Sequence, residues 1–322
     1  MRGRIKKSGI LSLALAGLML ISGCQSADNA EPYADEPDNI EEAKSYMSTV
    51  EISTFCPEEY LVMEEGVDYG EIVRTTYYSE TCGMDRNVNI VLPAGYSEKE
   101  KYPVLYILHG IFGDQNSMLG DGNSGIRVEI GNLINKGEAK SMILVFPDMY
   151  AKDDPSMAPA FDAESVKPYD NFLNDLTNDL MPFMEENYSV ATGRLNTGVL
   201  GFSMGGRESL AIGFTYPDLF GYVGAIAPAP GLVPGRDWAM EHEGQFAEEE
   251  LVFSSEKGMP YLLMIGAGDS DGTVGQFPKS YHELLDKNSV AHLWYEIPGS
   301  DHGDPAISSV VYNFVKAAFK AK

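Results

Sequence analysis

A serine enclosed as Gly201-Phe202-Ser203-Met204-Gly205 and a histidine enclosed as Ser300-Asp301-His302-Gly303 are the residues of this chain best suited to chemistry. Between them lies an acidic loop, Gly268-Asp269-Ser270-Asp271-Gly272. A serine hydroxyl is a weak nucleophile until a base takes its proton, and an imidazole oriented by a carboxylate is the base that does this near neutral pH. The chain order of nucleophile, acid and base therefore points to acyl transfer, with Ser203 attacking a carbonyl carbon, His302 carrying the proton and Asp271 or Asp269 holding the ring. Gly201 and Gly205, two positions to either side of the serine, suit a strained strand-to-helix turn that projects the hydroxyl clear of the backbone.

These groups must be brought together by the elements that precede them. Apolar runs lead into each motif: Thr197 to Phe202 before the serine, Tyr261 to Ala267 before the acidic loop, and Leu293 to Ile297 before the histidine loop. Runs of this length bounded by turn residues read as buried strands, which puts each polar group just beyond a strand's carboxyl end, where open α/β sheets keep their ligands. A fourth run, Val104 to Gly110 (VLYILHG), leads into Ile111 and Phe112. The turn there and the turn at the serine predict an oxyanion hole made of the backbone N–H groups of Ile111 and Met204. His109 itself reads as a structural hydrogen-bonding residue.

Strands are expected over 71–78, 88–92, 104–109, 142–147, 197–202, 222–227, 261–267 and 293–297. Helices are expected over 126–135, 171–187, 204–214, 279–287 and 305–320. Such alternation predicts a mainly parallel sheet with helices on both faces. The helix over 171–187 carries Phe172, Leu173, Leu176, Leu180, Phe183 and Met184 on one core-facing stripe, and Pro182 should kink or shorten it.

Collinear stretches over most of residues 70–320 resemble the esterase D-like branch of the α/β-hydrolases, and within it the feruloyl and acetyl-xylan esterases of carbohydrate esterase family 1. They are LPAGYSEKEKYPVLYILHGIFGD (92–114), NFLNDLTNDLMPFMEENYSV (171–190), GFSMGGRESLAIGFTYPDLFGYVGAIAPAPG (201–231) and the two C-terminal loops. The resemblance implies an α/β-hydrolase fold and a serine carboxylesterase that removes feruloyl, other hydroxycinnamoyl or acetyl groups from plant cell-wall xylan. An acyltransferase of the same fold and a non-catalytic glycan-binding lipoprotein are the alternatives. The family's Gly-Thr-x-Asp pattern, laid on Gly268, implies Asp271 as the acid; Asp269 stands where the family has threonine and is the alternative. Among aromatic residues in loops bordering the expected pocket, Phe112, Phe161, Tyr169, Trp238 and Phe277 could wall a planar slot for a cinnamoyl ring.

No H-E-x-x-H, clustered Cys/His, dinucleotide-binding or phosphate-binding loop occurs, so neither a metal nor a nucleotide cofactor is expected. Asp121-Gly122-Asn123-Ser124-Gly125 and Asp269-Ser270-Asp271-Gly272 are only fragments of a calcium-loop pattern. His242, His282 and His292 have no evident partner and read as surface residues, while Arg207 and Glu208 suit a structural ion pair.

At the amino end, Arg2, Arg4, Lys6 and Lys7 precede an apolar stretch, Ile10 to Ile21, that is short for a membrane span. Its ending, Ile21-Ser22-Gly23-Cys24, resembles a bacterial lipobox, which implies cleavage before Cys24, diacylglycerol on its sulfur and export to the outer face of the cytoplasmic membrane; an ordinary secretory signal is the alternative. Residues 24–47, rich in Asp and Glu with Pro32 and Pro37, are expected to be a solvated tether, and 48–322 a single esterase domain. The formal net charge of −25 argues against nucleic acid and anionic headgroups as partners. An acylated polysaccharide or a small ester is the expected substrate. With Cys24 committed to lipid, Cys56 and Cys82 are the one possible disulfide of an exported protein.

Overall fold

The computed structural model describes residues 39–120, 125–154 and 158–322. The leader, Cys24, most of the tether and the Asp121–Ser124 fragment lie outside the described residues. Among those described, no helix is long and apolar enough to cross a membrane.

The first described residues correct the tether boundary. Helix α1 (Ile40–Met47) turns Glu41 and Glu42 outward while Ala43 and Met47 are buried. Asn39 just before it is also buried, its amide donating to Met259 O at 2.9 Å and its oxygen accepting from Met259 N at 2.9 Å. Charge averaged over the segment hides this, because an amphipathic helix needs only one apolar stripe to dock.

Eight strands form one sheet: β1 (Glu71–Ser79), β2 (Met84–Leu92), β3 (Val104–Leu108), β4 (Ile143–Pro147), β5 (Thr197–Phe202), β6 (Tyr222–Ile226), β9 (Leu262–Gly268) and β10 (Leu293–Ile297), in the order β1-β2-β4-β3-β5-β6-β9-β10. The β1–β2 and β2–β4 pairs are antiparallel and every later pair is parallel. This is the α/β-hydrolase fold. Strands β3, β4 and β6 are buried along their whole length, as a sheet covered on both faces requires, which is why they read as unbroken apolar runs. The register then sets the site: Leu108 pairs with Gly201, Phe202 with Ile226, Ile226 with Gly266, and Gly268 with Ile297. The carboxyl ends of β3, β5, β6, β9 and β10 are thereby level, and the loops leaving them share one rim.

Helix α2 (Ile126–Asn135) follows β3, α6 (Met204–Thr215) follows β5, α7 (Phe277–Lys287) follows β9, and α8 (Ala306–Ala317) follows β10. The helix expected over 171–187 is longer and interrupted. It starts as α3 (Ala163–Asp170), where the Asp162 side chain caps the Ser165 N–H at 2.8 Å, and resumes as α4 (Phe172–Asp175). A π-type turn (Leu176–Leu180) follows, then α5 (Met181–Asn187). Pro182 has no N–H for the carbonyl of Asn178, and the widened turn lies at that point. Phe172, Leu176, Leu180 and Met184 are fully buried, as the stripe requires.

Short strands β7 (Gly235–Arg236) and β8 (Glu241–His242) make a separate hairpin, with Trp238 exposed in its turn. Cys56 and Cys82 are buried free thiols rather than a disulfide. They belong to different surroundings, Cys56 beside Ser309 and Cys82 in the β1–β2 turn beside Ser79.

Candidate active site

Ser203 occupies the turn between β5 and α6 with φ 57° and ψ −114°, a region that side chains other than glycine rarely enter. Such a residue costs about 1–3 kcal/mol and persists only where its surroundings over-determine it. Here the Ser203 N–H donates to Ile226 O at 2.8 Å, and its carbonyl accepts from Ala229 N at 2.9 Å and Arg207 N at 3.0 Å. The two flanking glycines are obligatory for a plain steric reason. A Cβ on Gly201 would stand 2.1 Å from Gly205 O, and one on Gly205 would stand 2.4 Å from Leu108 O.

From that turn the hydroxyl reaches the loop after β10. Ser203 Oγ lies 2.9 Å from His302 Nε2, and His302 Nδ1 lies 2.7 Å from Asp271 Oδ2. Asp271 Oδ1 in turn accepts from Thr273 N at 2.9 Å and Val274 N at 3.1 Å. Burial pushes the Asp271 carboxyl up, but the His302 hydrogen bond and the two N–H donors outweigh it and hold the group below its ordinary range. An anionic Asp271 fixes Nδ1–H on the imidazole, which leaves Nε2 free to accept the serine proton.

The two aspartates of the β9 loop have different partners. Asp269 Oδ1 accepts from Gly299 N at 2.7 Å and Ser270 Oγ at 2.9 Å, so it ties the acidic loop to the histidine loop. Asp301 does the same from the other side, accepting from Gly272 N at 3.1 Å and His302 N at 2.8 Å. Phe202 packs against the His302 ring with centroids 4.6 Å apart.

A cavity of about 180 Å³ opens on Ser203 and His302, with Ile111 and Met204 in its wall. Met204 is the first residue of α6, where N–H groups have no partner inside the helix. The loop carrying Ile111 is held in place by neighbours: Phe112 N donates to Tyr169 Oη at 3.0 Å, and Phe112 itself has φ 64°. His109 braces the same loop, with Nδ1–H donating to Gly110 O at 2.7 Å and Nε2 accepting from Met149 N at 2.9 Å. Both ring nitrogens are thus engaged, away from the serine.

Phe161 and Trp238 line the cavity. Their rings meet edge to face with centroids 5.5 Å apart, and Phe161 meets Phe112 in the same way at 4.7 Å. Tyr169 is buried in the core, and Phe277 lines a neighbouring hollow of about 380 Å³ that shares Trp238, Thr273 and Val274 with the cavity. Trp238 therefore lines both hollows. The hairpin that carries it was not legible as strand, since two-residue strands have no periodicity to read. His242, expected to be a surface residue without a partner, instead lines the cavity and holds Asp237 at 3.0 Å.

Behind the serine, the fully buried Arg207 bonds Glu208 through Nε at 2.8 Å and also meets Asp170 of α3. Gln245, just after β8, donates to Asp170 at 3.0 Å and to Glu208 at 3.1 Å. The expected Arg207–Glu208 pair is present, but it is half of a network that clamps α6, α3 and the end of the Trp238 hairpin together.

Residues 79–302 match the family model described as "Putative esterase". The chain belongs to this esterase family. It is similar to a structure of a CE1 ferulic acid esterase from Anaeromyces mucronatus in complex with ferulic acid, with 46% identity and a TM-score of 0.80 over 85% of this chain and 99% of that one. A feruloyl esterase module from Clostridium thermocellum complexed with sinapinate shares the fold at 17% identity and a TM-score of 0.62, over 90% of this chain and 97% of that one. Among curated proteins, an endo-1,4-beta-xylanase/feruloyl esterase of Xylanibacter ruminicola is 26% identical over 225 residues, 68% of this chain. The chain spans 27% of that relative's own length.

Proposed function

We propose that this family member is a serine esterase that removes feruloyl or other hydroxycinnamoyl groups from plant cell-wall xylan. The observation that carries the reading is the relay from Asp271 through His302 to Ser203, which ends in a cavity walled by Phe161 and Trp238. The likeness to a ferulic acid esterase at 46% identity supports the acyl group, and the xylanase/feruloyl esterase relative supports the polysaccharide.

In this mechanism Ser203 Oγ attacks the ester carbonyl carbon as its proton passes to His302 Nε2. The tetrahedral oxyanion is held by the N–H groups of Ile111 and Met204, an arrangement whose loss typically costs about 10²–10³ in rate. Collapse of the intermediate breaks the ester C–O bond, and the leaving sugar oxygen takes the proton from His302. Water then enters, gives a proton to the same nitrogen and attacks the acyl-enzyme; free acid leaves and the proton returns to Ser203 Oγ. Asp271 keeps the ring in one tautomer throughout and balances the charge of the imidazolium. The planar cinnamoyl ring would sit between the aromatic walls, where burying apolar surface is worth about 25 cal/mol per Å².

Kinetics on methyl ferulate and on acetylated xylan, side by side, test the reading. A higher kcat/KM on methyl ferulate is expected. A clear preference for the acetyl substrate would make the enzyme an acetyl-xylan esterase with the same relay, transfer to an acceptor sugar would make it an acyltransferase, and no turnover of either ester would leave a glycan-binding protein.

The lipobox-like Ile21-Ser22-Gly23-Cys24 and its basic leader support export and lipid anchoring through Cys24 on the outer face of a bacterial cytoplasmic membrane. Cys24→Ala should release the protein from the membrane fraction or block its maturation. A variant that is processed normally and still pellets with membranes would contradict the anchor.

A further inference from the structure

The four histidines outside the relay include a pair that the sequence did not join. His282 lies on α7 and His292 sits just before β10, yet His282 Nδ1 and His292 Nε2 are 2.8 Å apart. Asp286 is one helical turn beyond His282, on the same face of α7, with its carboxylate 3.6 Å from His282 Nε2. One nitrogen from each imidazole and one Asp286 oxygen all lie within 4.8 Å of one another.

Hydrogen bonding around the pair is one-sided. His292 Nδ1 faces Val290 O at 2.8 Å, and a carbonyl can only accept, so the proton of a neutral His292 is on Nδ1 and the lone pair is on Nε2. A carbonyl on the second nitrogen is the arrangement that fixes tautomer and aim in metal-ligating histidines. The Nε2 lone pair points at His282, which must donate its own Nδ1–H if no ion is present. When neutral, His282 then has a bare Nε2 opposite a carboxylate, two acceptors facing each other. A cation seated among the three groups removes that conflict, because it takes lone pairs from the imidazoles and from the Asp286 carboxylate alike. Trp294 stacks on the His282 ring with centroids 5.3 Å apart and 9° between planes, which holds the ring in orientation.

We propose that His282, His292 and Asp286 bind one divalent transition-metal ion of the zinc or copper type, with solvent completing the coordination. Two imidazoles and a carboxylate suit such ions, whereas calcium and magnesium prefer all-oxygen sets. Metal–nitrogen bonds of about 2.0–2.1 Å in a tetrahedral site put ligand atoms roughly 3.3 Å apart, so a small rotation of either ring accommodates the ion. The site joins α7 to β10, the edge strand of the sheet. It is located at the amino end of β10, whereas the proposed active site is at the carboxyl ends. Its role is therefore to clip an exposed edge, and ester hydrolysis does not require it.

The test uses the protein stripped with a chelator and desalted. Zn²⁺ titrated by calorimetry should bind saturably at one equivalent and raise the unfolding temperature. Of the two tryptophans, Trp294 is the one beside the site, so in a Trp238→Phe background Cu²⁺ should quench the remaining fluorescence with the same stoichiometry. His292→Ala should weaken binding about 10²-fold or more. Asp286→Asn, at an exposed position that leaves the fold intact, should weaken it by a smaller factor. Absence of saturable Zn²⁺ binding up to about 1 mM, or binding that Asp286→Asn and His292→Ala both leave unchanged, would overturn the proposal.

Discussion

Asp271 and His302 are 31 residues apart in the chain and 2.7 Å apart in space, joined because parallel pairing of β9 with β10 brings the two following loops to one rim. Asp269, two residues earlier, uses its carboxylate on Gly299 N instead. Asp271→Asn should therefore lower kcat by about 10⁴, because an amide does not impose the same tautomer on the ring. Asp269→Asn should leave kcat within about tenfold of wild type, because it loosens a loop contact without touching the relay. Initial rates on methyl ferulate measure both, and the opposite ranking would transfer the role to Asp269.

Ser203→Ala and His302→Ala should each reduce kcat by about 10⁴–10⁶, and the double variant should be no worse than either alone, since the groups act as one unit. Circular dichroism should report an unchanged fold. A fluorophosphonate probe should label the wild type and fail to label Ser203→Ala; retention of a tenth of the wild-type rate in that variant would end the nucleophile assignment.

Trp238→Ala removes one wall of the slot without reaching the relay. We expect kcat/KM for methyl ferulate to fall by about 10–100-fold, in line with loss of roughly 1–3 kcal/mol of apolar burial, and kcat/KM for a p-nitrophenyl acetate to change by less than about threefold. Equal losses on both substrates would remove the aromatic slot from the account of specificity.

Gly205→Ala is expected to be severe although it adds a single methyl group. The added carbon meets the Leu108 carbonyl at 2.4 Å, a backbone atom that cannot rotate away, so β3 and α6 must separate. Overpacking of this kind costs about 1–3 kcal/mol or more, read as a lower urea midpoint with loss of activity.

Asp170 supplies a pH signature. Burial, the largest effect, raises its carboxyl, Arg207 opposes this and Glu208 adds to it, and the group titrates at about 6 in the folded protein against 3.8 ordinarily. Between those values the folded state holds a proton that the unfolded state has released, so Asp170 makes stability fall as pH rises from about 4 to about 6, and the contribution is constant above that. Its side chain keeps 41% exposure, so solvent screening moderates the effect. Relative to wild type, Asp170→Asn should become progressively more favourable across that window in urea unfolding at stepped pH. A difference that does not vary with pH would contradict the shift.

Local pattern was sufficient for everything whose cause is local. The strands 197–202 and 293–297 and the helix 126–135 have the expected bounds, because apolar runs ending in turn residues specify buried elements without reference to the rest of the chain. The elbow was legible because its two glycines flank Ser203 in the sequence, although only Gly201 is forced locally, by Gly205 O, while Gly205 is forced by Leu108 O of β3. Helix α3 was missed because Pro168 argues against a helix interior, and the Asp162 cap that starts it is a weak signal alone.

What the sequence determined by itself was the eight strands of the main sheet, most of the helices that cover it and the short list of groups able to do acyl chemistry. Tertiary structure decided which of them meet. Asp269 and Asp271 have the same side chain two residues apart, and only the position of the β10 loop gives one of them His302 and the other Gly299 N. His282 and His292 become a pair only when α7 packs beside β10, and Glu41 and Glu42 become the outer face of a docked helix only when Asn39 finds Met259. In each case the partner is chosen by strand register and helix packing, which depend on contacts between segments distant in sequence that no local pattern records.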